Sequence, residues 1–209
     1  MNGVIEVGQK VPMDVVWNTR VKCPELVQAG VENPYKWESV TSADIFADKR
    51  VIVFALPGAF TPTCSSKQLP EYENNYQMFK RAGVDEVYCL SVNDSFVMNM
   101  WFRYQQINGI KPIPDGSGLF TAEIGMMVDK DNLSFGSRSW RYALLLNDGI
   151  VEKTFIEDGF GDNIGDDPFE VSDAETVFDY ITNESPVDMP GRQLTLELFD
   201  GPGAKDKMS

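Results

Sequence analysis

The chain has 209 residues, of which 43% are hydrophobic, and its formal net charge is −14 at pH 7. This length predicts one globular domain with a sizeable core. The negative charge argues against nucleic acids and anionic membrane surfaces as partners. No apolar run approaches the length of about 18 residues that a membrane span needs.

The chain contains no histidine and three cysteines. The lack of histidine excludes Ser-His-Asp and Cys-His catalysis and the His-containing zinc sites. Three scattered cysteines do not make a disulfide framework. The first residues also lack the basic and apolar regions of a secretory signal. We therefore expect a protein of the reducing cytoplasm.

The N-terminal 50 residues predict a small extension before the main fold. Residues 11–17 are interpreted as an early strand, and residues 37–40 as a short strand paired with it. The stretch from 23 to 34 contains prolines and a glycine and is predicted to be irregular. Thr41 then caps a short helix that runs to about Ala47.

Residues 51–56 are six consecutive apolar residues, which predicts a strand buried on both faces. A helix should follow, with Thr61 as its N-cap and Pro62 at its first position. This places Cys64 in the first helical turn.

The helix continues with apolar residues spaced three and four apart, namely Leu69, Tyr72, Tyr76 and Phe79. Pro70 lies inside this pattern and is predicted to kink the helix, which should end at Gly83.

The second half of the chain predicts further elements of the same kind. Residues 87–92 indicate another buried strand, and Asn93 or Asp94 caps a helix to about Asn108 with Val97, Trp101 and Tyr104 on one face. A brief strand is expected at 112–114.

Strands at 142–146 and 150–156 flank Asn147-Asp148-Gly149, which is a strong hairpin signal. Ser172-Asp173-Ala174-Glu175 is interpreted as a capping box that opens a helix to about residue 182. From residue 51 the order is strand, helix, strand, helix, hairpin, helix, which predicts a thioredoxin-like α/β fold.

The fold is expected to occupy residues 1–182, with a C-terminal tail at 183–209. Within the tail, residues 193–199 alternate and could form an edge strand or an extended arm.

Cys64 is the candidate reactive residue. A helix N-terminus offers unpaired N–H groups and the positive end of the helix dipole, which favour a thiolate. Although the chain is acidic, residues 49–70 contain no Asp or Glu. The alternative is that Cys64 is an inert, small hydrophobic residue of the core.

The residues around Cys64 also carry a family resemblance. Pro57, Thr61 and Cys64 match the Pro-x-x-x-Thr-x-x-Cys signature of peroxiredoxins, and PGAFTPTCSSKQLP at 57–70 is similar to the peroxiredoxin-5 subfamily. Further matches are CLSVND at 89–94, RSWRYALLLNDGIVEK at 138–153 and the GDPFEVSD-like residues 165–173. Over about residues 3–182 the chain resembles most the peroxiredoxin part of hybrid peroxiredoxin–glutaredoxin proteins.

The resemblance implies a role for each residue of the signature. Cys64 is the peroxidatic cysteine, Thr61 bonds to its sulfur and to bound peroxide, and Pro57 shields the sulfur from water. The resemblance also assigns Arg141 to a position against the sulfur. From the residues alone, a surface arginine paired with an acid is the favoured interpretation of Arg141, and only the resemblance reverses it. Arg138 is a lower-ranked candidate for the same place.

Two positions depart from the subfamily. Gln68 stands where the subfamily often has histidine, so a titratable group is missing there. The subfamily's resolving cysteine would lie near Gly165, where this chain has no cysteine. Cys89, in a strand pattern, is interpreted as an inert core residue, and Cys23 is left unassigned. A resolving role for either of them stays open.

The segment 157–170 is rich in acidic residues. Carboxylates are common calcium ligands, and the segment contains four aspartates that are candidates for a calcium site, namely Asp158, Asp162, Asp166 and Asp167. Their spacing does not fit the EF-hand loop, so a solvated acidic loop is predicted.

These observations favour a one-cysteine thiol peroxidase. Cys64 would attack hydrogen peroxide or a small organic hydroperoxide and become a sulfenic acid. An external thiol, which the hybrid resemblance suggests is glutathione or glutaredoxin, would then reduce it, with no bound cofactor or metal.

The alternative is a non-enzymatic redox sensor that passes the oxidation to a partner protein. The resemblance further implies a homodimer, and the net charge predicts that its interface is locally apolar and acid-poor.

Overall fold

The computed structural model describes residues 3–184 of the chain. Its strands are β1 (Val16–Lys22), β2 (Tyr35–Thr41), β3 (Arg50–Ala55), β4 (Glu86–Ser91), β5 (Lys111–Pro114), β6 (Met127–Asp129), β7 (Ser137–Ser139), β8 (Tyr142–Asn147) and β9 (Ile150–Ile156). Its α-helices are α1 (Pro24–Gln28), α2 (Ser42–Phe46), α3 (Leu69–Arg81), α4 (Ser95–Tyr104), α5 (Leu119–Glu123) and α6 (Ala174–Asp179). Two π-helical turns, Cys64–Gln68 and Tyr180–Glu184, and a 3-10 turn, Asp131–Leu133, complete the set.

Five strands form the central sheet, in the order β5-β4-β3-β8-β9. β3 pairs parallel with β4 and antiparallel with β8, and β8 and β9 form the predicted hairpin. The hairpin turns at Asp148 and Gly149, whose φ angles of 51° and 72° are those of a two-residue turn that favours glycine. This arrangement is the thioredoxin-like α/β fold that the sequence predicts.

The central strand β3 separates two hydrophobic cores. Because successive side chains of a strand point to opposite faces, Ile52 and Phe54 pack in one core with α3, α4 and α6. Val51, Val53 and Ala55 pack in the other core with α2, α5 and the N-terminal segment. All six residues of β3 are buried, as the unbroken apolar run predicts.

The N-terminal extension differs in detail from the prediction. The early strand begins at Val16 rather than at Val11, because the Val11 N–H donates to the carbonyl of Gly149 at the hairpin turn. The expected pairing is confirmed, since β1 runs antiparallel to β2 with Trp17 opposite Val40. The segment predicted to be irregular contains the short helix α1. Thr41 caps α2, as expected.

The C-terminal end of α4 and the residues on its buried face differ from the prediction. α4 ends at Tyr104, before the predicted Asn108, and its buried side chains include Met98, Trp101 and Phe102. Tyr104 faces solvent instead of the core.

The cap of α6 also differs from the prediction. It is Asp173, because the Ser172 hydroxyl donates to the carboxylate of Glu157.

Pro70 lies inside a helical segment that runs without a break from residue 62 to residue 81. It follows directly after the π-helical turn Cys64–Gln68, at the start of α3. A π-helical turn is the kind of local irregularity that accommodates a proline, which cannot donate a helical hydrogen bond.

No helix within residues 3–184 has the length and the apolar character of a membrane span. The predicted strand or arm at 193–199 lies outside the described residues, as does all of the tail beyond residue 184.

Candidate active site

A short loop leads from the end of β3 to Cys64 and is held by the neighbouring strand. The Ala59 N–H donates to Oδ1 of Asn93, which follows β4, at 3.0 Å, and Oδ1 also accepts from the hydroxyl of Ser91. Phe60 in this loop has a φ of 65°, a conformation that is uncommon for bulky side chains. The loop is therefore fixed by the sheet despite its strained residue.

Cys64 is fully buried at the beginning of the helical segment that continues into α3. The helical conformation starts at Pro62, as predicted, and the first helical hydrogen bond joins the Ser65 N–H to the Thr61 carbonyl at 3.0 Å. The indole of Trp101 on α4 donates to the Ser65 hydroxyl at 3.0 Å. Cys64 thus occupies the helix start that the sequence predicts, with the helix anchored against α4.

Arg141 meets Cys64 inside the core. Arg141 immediately precedes β8, whose first residue Tyr142 pairs with Ala55, the last residue of β3. The guanidinium Nη1 lies 3.5 Å from Cys64 Sγ, and only 1% of the residue is exposed. The sheet register is what brings these two residues together.

Burial and charge act in opposite directions on Arg141. Desolvation lowers the pKa of Arg141, but the negative charges of Cys64 and Asp167 outweigh it and leave the pKa raised overall. The guanidinium therefore remains a permanent cation beside the sulfur.

Arg138, the other candidate, lies away from the sulfur. Its guanidinium donates to the backbone carbonyls of Phe135 and Val92, at 3.0 Å and 2.8 Å. The structure thus brings Arg141, and not Arg138, to Cys64.

Two partners of Arg141 were missed by sequence reasoning. Nη1 also donates to Oε1 of Gln68, and Nη2 forms an ion pair with Oδ1 of Asp167. Gln68 is fully buried and donates in turn to the carbonyl of Ala55 at 3.3 Å. For Gln68, the signal in the sequence was that a glutamine stands where the subfamily often has histidine. For Asp167 the sequence contained no signal, because its contact with Arg141 is long-range.

Thr61 and Pro57 lie on the loop beside the helix start. The Thr61 hydroxyl donates to the carbonyl of Gly58 at 2.8 Å instead of accepting a backbone N–H, so the predicted N-cap bond is wrong. Pro57 is buried two residues after the end of β3.

The other two cysteines have separate environments. Cys89 is buried in β4, where burial and, secondarily, the charge of Cys64 raise its pKa well above the usual value. Cys23 precedes α1, and its thiol donates to Oε2 of Glu25 at 2.8 Å. All three cysteines are free.

The acidic segment 157–170 is only partly a solvated loop. Glu157 is buried, and its carboxylate accepts the N–H groups of Glu170, Val171 and Ser172 at 2.8–3.0 Å. Asp167 points to Arg141, and Asp162 accepts the N–H of Asp129 at 2.8 Å, so three acids of this segment have tertiary partners that the sequence pattern did not indicate. In the part of the chain that the structure describes, no group of three or more His, Cys, Asp or Glu side chains could hold a metal ion.

Comparisons with known proteins agree with this geometry. The family model described as Redoxin matches residues 7–177. A peroxiredoxin from Rhizobium etli is 53% identical over 169 residues, which cover 81% of this chain and 92% of the relative. The hybrid peroxiredoxin hyPrx5 from Haemophilus influenzae is 48% identical over 168 residues, which cover 80% of this chain and 66% of the relative. Among solved structures, the Plasmodium falciparum antioxidant protein, described as a 1-Cys peroxiredoxin, has a TM-score of 0.77 and 34% identity, with coverage of 84% of this chain and 99% of that chain.

The environment of Cys89 generates a testable prediction. Because its pKa is raised by burial, Cys89 stays protonated at neutral and mildly alkaline pH. Cys89→Ser should therefore leave the ultraviolet thiolate absorbance of the folded protein unchanged over that range. Cys64→Ser is the matched variant and should remove a titration step. A step that becomes smaller in Cys89→Ser would contradict the protonated state of Cys89.

Proposed function

This chain belongs to the redoxin family, among its peroxiredoxins, and we propose that it is a one-cysteine thiol peroxidase for hydrogen peroxide and small organic hydroperoxides. The observation that carries the proposal is the buried contact between Cys64 Sγ and Arg141 Nη1, 3.5 Å apart. A cation held against the sulfur stabilises negative charge on it, and the thiolate is the form of cysteine that acts as the nucleophile.

The peroxide step uses this arrangement directly. The thiolate of Cys64 attacks one oxygen of ROOH, so that an S–O bond forms and the O–O bond breaks. Cys64 becomes a sulfenic acid, and the leaving RO⁻ takes up a proton to give ROH. Arg141 stabilises the negative charge as it passes from the sulfur to the leaving oxygen.

The loop residues complete the proposed site. The Cys64 N–H precedes the first helical hydrogen bond, so the helix leaves it available to a ligand. The Thr61 hydroxyl, which donates to Gly58 in the resting structure, would turn to the peroxide or the sulfur. Pro57, buried beside the loop, would keep water from the sulfur.

The sulfenic acid would be reduced by an external thiol. No cysteine occurs in the segment 157–173, Cys23 is bonded to Glu25, and Cys89 is buried in β4. Similarity to a hybrid peroxiredoxin supports glutathione, with or without a glutaredoxin, as the reductant. Three free cysteines fit a reducing compartment such as the cytoplasm.

Steady-state peroxide removal with glutathione, glutaredoxin and thioredoxin offered in turn tests the proposal. We expect sustained turnover with glutathione, no consumption by Cys64→Ser, and an unchanged first turnover in Cys23→Ser and Cys89→Ser. Consumption that stops after one equivalent with every reductant would favour a redox sensor instead. Loss of the first turnover in a folded Cys89→Ser protein would contradict the assignment of Cys64 as the reacting residue.

Substitution of Arg141 tests its proposed charge. Arg141→Met should move thiolate formation at Cys64 to higher pH, because a nearby cation that favours the charged form is lost. It should also slow the peroxide step at a pH where the thiolate is fully formed, by at least about tenfold, which corresponds to about 1.4 kcal/mol of barrier.

Arg138→Met is the matched control, because Arg138 is a second partly buried arginine, and within residues 3–184 its side chain donates to backbone carbonyls and not to the sulfur. It should change neither the pH at which the Cys64 thiolate forms nor the rate of the peroxide step. Equal behaviour of the two variants would remove Arg141 from the proposed mechanism.

We further propose a homodimer formed through an exposed apolar surface near Cys64. Phe96, Met100 and Tyr104 lie on the outer face of α4 and are 53%, 53% and 75% exposed. The ring of Phe60, itself half exposed, packs against those of Trp101 and Tyr104. Residues 95–107 contain no Asp or Glu, so this surface is free of the negative charge that repels two copies elsewhere.

Sedimentation at micromolar concentration tests the dimer. The reduced and the oxidised protein should both sediment as dimers, and Met100→Glu should shift them towards the monomer by adding a charge to the apolar surface. Leu133→Glu is the control, since Leu133 is comparably exposed on a different element. A wild-type monomer in both redox states would contradict the proposal.

A further inference from the structure

Asp167 covers the outer side of the buried arginine. The Asp167 side chain is 42% exposed, whereas that of Arg141 is 1% exposed, and the two form an ion pair through Nη2. The other terminal nitrogen, Nη1, faces Cys64 Sγ and Gln68. Asp167 therefore holds one edge of the guanidinium while the opposite edge meets the sulfur.

The loop that carries Asp167 is tied to the protein on both sides. Before it, the Ile164 carbonyl accepts a hydrogen bond from the buried Lys130 Nζ at 3.1 Å. After it, the carboxylate of Glu157 accepts the N–H groups of residues 170–172. The ring of Phe169 lies 5.6 Å from the guanidinium carbon of Arg141. These anchors make Asp167 a fixed carboxylate and not a chance surface contact.

Within residues 3–184, two anions act on Arg141, namely Asp167 and the Cys64 thiolate. Lys130 is a second cation, and it interacts with Asp167 and Arg141. Cys89 is protonated, because burial raises its pKa, and the carboxylate of Glu157 is occupied by backbone N–H groups. Asp167 should thus have two opposite effects, since it orients the cation that the sulfur needs while its own charge opposes the thiolate.

We propose that Asp167 is a positioning residue for the peroxide step, acting through Arg141. This inference rests on the proposed function, because it assigns Asp167 to the same reaction. By fixing Nη2, Asp167 keeps Nη1 directed at the sulfur and at the oxygen that leaves. A wrongly oriented guanidinium would stabilise that developing charge less well, even where the thiolate is complete.

The two effects separate experimentally. Asp167→Asn and Asp167→Ala both remove the negative charge, so the thiolate of Cys64 should form at lower pH than in the wild type. The rate constant for hydrogen peroxide, measured with the thiolate fully formed, should nevertheless fall. We expect a loss on the order of tenfold in Asp167→Ala and a smaller loss in Asp167→Asn, whose amide oxygen can still accept from Nη2.

Asp166→Asn is the matched control. Asp166 is the adjacent residue, carries the same charge and is exposed, and within residues 3–184 it has no hydrogen bond or ion pair. It should leave the pH of thiolate formation and the rate constant for hydrogen peroxide at their wild-type values. A general loss of structure would slow the reaction without favouring the thiolate, so the shift to lower pH distinguishes positioning from misfolding.

Three outcomes would overturn the inference. These are equal behaviour of the Asp167 and Asp166 variants, a shift of thiolate formation to higher pH, and a shift to lower pH with an unchanged rate constant in Asp167→Ala. If Asp167→Ala does not fold, the Asp167→Asn rate constant decides by the same criterion. A wild-type protein that consumes no peroxide would refute the proposed function itself. That test uses the wild type alone, so its result is independent of the Asp167 variants.

Discussion

A cation in the core has to be surrounded by groups that compensate for its loss of hydration, and Arg141 is such a cation. Its compensation comes from separate parts of the chain: the sulfur of Cys64, the amide of Gln68 and the carboxylate of Asp167. Nε has no hydrogen-bond partner within residues 3–184, so the two terminal nitrogens make the polar contacts that hold the guanidinium. The orientation of the guanidinium therefore depends on the helix, the sheet and the acidic loop at once.

The sheet is the part that makes this meeting possible. β3 ends in the loop that leads to Cys64, and β8 begins directly after Arg141. Because the two strands pair antiparallel with Ala55 opposite Tyr142, the end of one lies beside the start of the other. A slip of one residue in this register would turn the neighbouring side chains to the other face of the sheet. The buried residues of both cores hold the register.

The acidic residues of the chain have different structural roles in different parts of the fold. Most of the acids within residues 3–184 lie at the surface, where their like charge favours repulsion between molecules. Glu157 instead satisfies three backbone N–H groups inside the fold and so fixes the end of the loop that carries Asp167. Residues 49–70 and 95–107 lack acids, so the helix start and the nearby apolar surface carry no acidic residue of their own, and the negative charge near the thiolate comes from Asp167 on a distant loop.

The sequence by itself determined the main strands and helices of the central sheet and the place of Cys64 at a helix start, because those depend on local patterns, whereas the short elements α1, α5, β6 and β7 had no such signal. The apolar run of β3, the Asp148-Gly149 turn and the Thr-Pro helix start each act over a few residues, and together they predicted the sheet, the hairpin and the position of Cys64. The motif also pointed to Arg141, although residues alone could not separate it from a surface arginine. Only the tertiary structure decided that Arg141 is buried, that Gln68 and Asp167 are its partners, and that Thr61 bonds to Gly58. The contacts of Arg141 join residues up to 77 positions apart, and their existence depends on strand register and loop anchoring, which no local pattern contains.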